Sequence, residues 1–167
     1  MRKLEDELLR GRVDLERSLS VARLLLEELA RVHARGDARG GFEPADVLLG
    51  DPDGATLAAV APGTAGPAGD ARGASPYVAP ERRAGGVPPD ARADVFSFGV
   101  VAYRLLTGVL PEGAFEPASA LAAGLDPRWD AVIERCLRRA PENRYADARA
   151  ALAAVRAIDR TPPRRVR

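Results

Sequence analysis

Apolar residues recur along this chain at helical spacing, and the stretches between them are rich in Gly, Pro and Asp. Leu15, Leu19, Ala22, Leu26, Leu29 and His33 alternate steps of four and three, which predicts a long helix capped by Asp14 and stopped by Gly36. From Val95 to Leu106, the residues Val95, Phe98, Val100, Val101, Ala102, Leu105 and Leu106 cover more than one face. A helix of that kind belongs inside a globule, with Asp94 at its start to accept backbone N–H groups and Gly108 at its stop. Trp129, Val132, Ile133, Cys136 and Leu137 line one face of a further helix, and an alanine-rich helix is predicted over 147–158.

The remaining segments are shorter or polar. Leu4, Leu8 and Leu9 in the charged start, before Gly11, predict a short helix or frayed turn. Two apolar bursts, Val47 to Leu49 and Thr56 to Val60, flank the turn-rich DPDG and predict a hairpin. Residues 63–75 read as a Gly/Pro-rich loop, and 110–127 as a loop with a short helix. The tail TPPRRVR predicts disorder; the rival idea, a basic juxtamembrane segment, has no membrane span to follow.

At 167 residues the chain has room for one domain with a core. A net charge of +1 supplies no field to gather nucleic acid or an anionic membrane, so neither is expected as a partner. Cys136, the single cysteine, excludes an intrachain disulfide, makes a cytoplasmic location the default, and lies among core residues. No apolar run is long enough to span a bilayer, and the charged start has no signal-peptide pattern.

YVAPE, residues 77–81, followed by DVFSFGVVAYRLLTG, residues 94–108, resembles the large lobe of eukaryotic-type Ser/Thr protein kinases, in its bacterial form. By that resemblance the fold is mainly α, a protein-kinase-like C-lobe with helices similar to αE, αF, αG, αH and αI and a short β-hairpin. The small lobe is expected to be absent: a complete kinase domain needs about 250 residues, and Lys3 stands in a charged stretch without strand character. The division expected is a charged segment 1–13, the lobe 14–158 and a disordered basic tail 159–167. The resemblance also implies a buried ion pair between Arg144 and Glu81, the alternative being two surface charges. Asp94 would hold the backbone of the catalytic loop.

Pro44, with Val47, Leu48 and Leu49 three residues on, aligns the stretch DARGGFEPADVLL with the family's HRDLKPEN region. In that register Arg39, Gly40 and Gly41 stand for HRD, Glu43 for the lysine, Asp46 for the asparagine, and Val60, Ala61 and Pro62 for DFG. Phosphoryl transfer needs a carboxylate to orient the acceptor, a cation on the transferred group and acidic ligands on Mg²⁺. Gly41 has no carboxylate, Glu43 inverts the charge facing phosphate, and Val60 cannot ligate a hard cation. Asp46 alone could hold Mg²⁺, weakly, and Leu48 is the residual candidate for an adenine floor. Asp37 as a displaced acid would break the Pro44 register. His33, alone on an apolar seam with no base or nucleophile nearby in sequence, reads as a packed side chain rather than a catalytic one.

The expectation is therefore a degenerate, catalytically inactive module, pseudokinase-like, needing no cofactor and acting through protein interaction. The alternative is a truncated or split kinase that binds ATP and Mg²⁺ once a small lobe is supplied. Thr64 and Ser75 are possible phosphoacceptors near Arg72, Arg82 and Arg83, or simply linker residues. Val47, Leu48, Leu49 and Leu57 are expected to face a partner or a second copy, unless the N-terminal segment covers them.

Overall fold

The computed structural model describes residues 2–50, 57–58, 75–83 and 88–160. Helix α2 (Leu15–Ala34) begins at Asp14, whose carboxylate accepts the Arg17 N–H at 3.1 Å. Its buried face runs through Ser18, Val21, Ala22, Leu25, Leu26, Leu29 and Val32, while Leu15 and Leu19 stay only partly buried. The predicted stripe is thus rotated toward Val21 and Leu25, because the core lies on two sides of this helix. Ser18 follows its neighbours inside and donates to the Leu105 carbonyl at 2.9 Å, since a buried hydroxyl needs a partner.

Helix α4 (Ala91–Thr107) is the axis of the fold: from Ala93 to Thr107 every residue except Arg104 is buried. It starts four residues earlier than the apolar pattern indicates, because Asp90 supplies the cap by accepting the Arg92 N–H at 2.7 Å. Asp94 consequently lies inside the first turn rather than at the helix start. Gly108 closes the helix in the left-handed region (φ 84°).

Helix α6 (Arg128–Cys136) buries Trp129, Val132, Ile133 and Cys136 against α4. The closest approach is at Gly99, where an added Cβ would stand 2.8 Å from the Cys136 Cβ. The Cys136 thiol is enclosed, and burial pushes its pKa up to about 12, which makes it an inert core group. Helix α7 (Ala148–Arg160) packs Ala151, Leu152, Val155 and Ile158 inward and runs two residues past the expected end, with Asp159 paired to Arg23 at 2.9 Å. Two short helices, α3 (Pro80–Arg83) and α5 (Ala118–Leu121), flank α4.

The N-terminal segment corrects two expectations. Arg2–Lys3 is a strand, β1, and it pairs antiparallel with β2 (Leu48–Leu49), placing Arg2 opposite Leu49 and Lys3 opposite Leu48. Strand β3 (Leu57–Ala58) completes the hairpin on the other side. Lys3 is thus a strand residue despite its charged surroundings, because pairing rather than intrinsic propensity decides so short a strand. Helix α1 (Leu4–Leu9) follows, with the Leu4 side chain fully buried and its N–H bonded to the Val47 carbonyl at 2.9 Å. Val47 and Leu49 are therefore buried (0% and 1% exposed) rather than presented to a partner, and Leu48 is partly buried. Val60, Ala61, Pro62, Thr64, Arg72, the Leu57 side chain and the tail beyond Arg160 lie outside the described residues.

Candidate functional site

The segment 39–49 reaches α4 through Asp94. That carboxylate is fully buried, so each of its oxygens must find donors. Oδ2 accepts the Arg39 N–H at 2.8 Å and Oδ1 accepts the Gly41 N–H at 2.7 Å. His33 Nε2 lies 3.0 Å from Oδ2, and His33 Nδ1 lies 3.0 Å from the Ala148 N–H. A backbone N–H can only donate, so Nδ1 is the acceptor and Nε2 carries the proton given to Asp94. His33 thereby joins α2, α4 and the first turn of α7, where Asp147 accepts the Ala150 N–H at 2.8 Å beside it.

Ser97, one turn along α4, makes the second tie. Its hydroxyl accepts the Phe42 N–H at 3.2 Å and donates to the Tyr77 carbonyl at 2.7 Å, linking the segment 39–49 to the residues before α3. Arg104 donates to the Tyr77 hydroxyl. Burial pushes the Tyr77 phenol above its ordinary value, although Arg104 pulls the other way.

Gly40 and Gly41 both adopt positive φ (75° and 122°) and are buried. Glu43 and Asp46 form a reciprocal capping box around the 3-10 turn Pro44–Asp46, in which Asp46 Oδ2 accepts the Glu43 N–H at 3.0 Å. Arg39 is half-buried and its Nε finds no partner. Burial pulls its guanidinium below the ordinary value, while the Asp94, Glu28 and Asp46 carboxylates push back. Asp37 is exposed, with Arg35 at 3.7 Å. Among the described residues, no three His, Cys, Asp or Glu side chains come together to hold a metal ion.

Behind α4, Arg144 and Glu81 form a bidentate pair at 2.7 and 2.8 Å. Arg144 also donates to the carbonyls of Arg138, Arg139 and Arg92, so all five of its N–H groups are used. Its guanidinium stacks on Phe96 with 5.0 Å to the ring centroid. Desolvation raises the Glu81 carboxyl, but the bonds and charge of Arg144 outweigh it and leave the group below the usual carboxylate range. Ser75 accepts the Tyr77 N–H at 3.4 Å, and Arg83 donates to the carbonyls of Val78 and Pro76.

Sequence reasoning passed over Ser97 and the capping role of His33. Ser97 carries a faint signal, being a hydroxyl on the most apolar helix of the chain, and such a residue needs partners inside.

PknL of Mycobacterium tuberculosis, a serine/threonine-protein kinase, is 32% identical over 170 residues, covering 89% of this chain. The chain is homologous to the bacterial Ser/Thr protein kinases. A probable serine/threonine-protein kinase of Clostridium acetobutylicum is 27% identical over 160 residues, covering 83% of this chain and 24% of its own length. The crystal structure of the Mycobacterium tuberculosis PknI kinase domain superposes with a TM-score of 0.69 at 24% identity, covering 93% of this chain and 61% of that one. The fold is therefore that of a protein-kinase C-lobe. The chain spans 42% of the length of PknL. No family model matches it. Among the described residues, no helix is long and apolar enough to cross a membrane.

Proposed function

We infer that this lobe is a catalytically inactive, pseudokinase-like module that works by engaging protein. The observation that carries the reading is the state of the carboxylates in the segment 39–49. Position 41 has none, and those of Glu43 and Asp46 cap their own turn. Mg–ATP does not fit these residues: Asp46 is one carboxylate where a hard cation wants several oxygens, and Glu43 repels the phosphate chain. No cofactor is therefore expected. The partner surface lies elsewhere than Val47 and Leu49, and a cytoplasmic location goes with the reading.

A second reading, a split kinase completed by a small lobe from elsewhere, draws support from Asp94, which still holds the Arg39 and Gly41 amides in place. Ligand at a hundred times its dissociation constant stabilises a protein by about 2.7 kcal/mol. The inactive reading expects no thermal shift with Mg–ATP and no label transferred from ATP to a protein acceptor. Label transfer that depends on an acidic side chain of this chain would establish the second reading instead.

A further inference from the structure

An empty position in a loop can be a vacancy or a space already taken. At Gly40 a Cβ would stand 3.1 Å from the Pro89 Cβ and 3.3 Å from both Nε and a terminal nitrogen of Arg82. Arg82 reaches in from α3 and donates to the Gly40 carbonyl at 3.3 Å. At Gly41 a Cβ would stand 3.2 Å from the Ser97 hydroxyl, which is itself fixed by Phe42 and Tyr77. Both glycines also need positive φ, a region that side chains disfavour. Two other glycines share those torsions without the neighbours: Gly36 (φ 79°) and Gly11 (φ 128°) have nothing within 4 Å of an added Cβ.

We propose that α3, α4 and Pro89 just before it pack over this loop, Arg82 and Pro89 taking the side-chain space of position 40 and Ser97 that of position 41. The segment is then a structural strap, and an acid restored at Gly41 must displace the Ser97 hydroxyl that ties it to Phe42 and Tyr77. Arg82 is a strut in this arrangement, tying α3 to the loop while the neighbouring Glu81 ties α3 to Arg144. The inference goes beyond the functional reading, and its readout is stability rather than phosphate transfer.

The glycine pairs supply the test, since each matches in φ and differs in packing. Gly40→Ala should raise the unfolding equilibrium constant by at least about threefold more than Gly36→Ala, and Gly41→Ala likewise more than Gly11→Ala. In an Arg82→Ala background the excess at position 40 should shrink while the effect of Gly36→Ala stays the same. Equal effects within each pair, or an excess unchanged by Arg82→Ala, would overturn the proposal. Should the Gly40 variant fail to fold, amide exchange in the Arg82→Ala protein decides: faster exchange at Gly41 and Phe42 is expected, and unchanged exchange there rejects the strut.

Discussion

The two sides of α4 use charge in opposite ways. Behind it, Arg144 and Glu81 meet side chain to side chain, and Arg144 satisfies three carbonyls besides. In front of it, Asp94 grips the segment 39–41 through backbone amides, and no side chain of that segment bonds it. The difference teaches which substitutions each side can absorb. A site held by its backbone can change the side chains at 39, 43 and 46 and keep its course, whereas a site held by a guanidinium cannot lose that one residue. The front can therefore change its side chains without loosening the back.

The sharpest test of this contrast is Arg144→Ala. It strands the Glu81 carboxylate and three carbonyls, so it should cost at least about 3 kcal/mol, read as a fall in the urea midpoint. The pair also sets an acid limit. Glu81 has a folded-state pKa below its unfolded value, so its contribution is present above the ordinary carboxylate range and is lost as pH falls through the lowered value. Wild type should lose this stability below about pH 4.5, and Arg144→Ala should show a flatter profile there. An unaltered acid profile would mean that the back of α4 does not rest on this pair.

Gly99→Ala comes next. The added methyl meets the Cys136 Cβ at 2.8 Å and the Leu137 side chain at 3.0 Å, so α4 and α6 must separate at a cost of about 1–3 kcal/mol. A thermal midpoint within a degree of wild type would show that the helix pair yields more easily than its spacing indicates.

His33 ties Asp94 to the first turn of α7, and two amides can divide its roles. Asn places its carbonyl oxygen where Nδ1 sits and can still accept from Ala148, while Gln reaches the place of Nε2 and can still donate to Asp94. Each variant should lose about 1 kcal/mol. Hydrogen exchange should then loosen at Arg39 and Gly41 in His33→Asn, but at Ala148 in His33→Gln. The same pattern in both variants would mean that the imidazole acts only by filling space.

Sequence showed the back of the molecule more readily than the front, for a physical reason. Helices α2, α4, α6 and α7 announce themselves because burying one face fixes where apolar residues recur, and caps such as Asp14 and Gly108 mark their ends. The rotation of the α2 seam stayed hidden because two neighbours share that helix. Strand β1 left no trace in Arg2 and Lys3, which pair by backbone alone. Gly40 and Gly41 could be read as losses of side chains; that Arg82, Pro89 and Ser97 stand in the space is a fact of distant contacts, which no local pattern encodes.

The smallest effect belongs to the front, and it completes the contrast. Glu43→Lys puts a cation where the kinase pattern has one, at a partly buried position whose carboxylate caps the turn Pro44–Asp46. Losing half of a capping box should cost no more than about 1 kcal/mol. Asp94 would still hold the Arg39 and Gly41 amides, so the loop should keep its course and its exchange rates. No phosphate transfer should appear, because Gly41 still offers no carboxylate to orient an acceptor hydroxyl. A loss of stability comparable to that of Arg144→Ala would show that the front is held by its side chains after all.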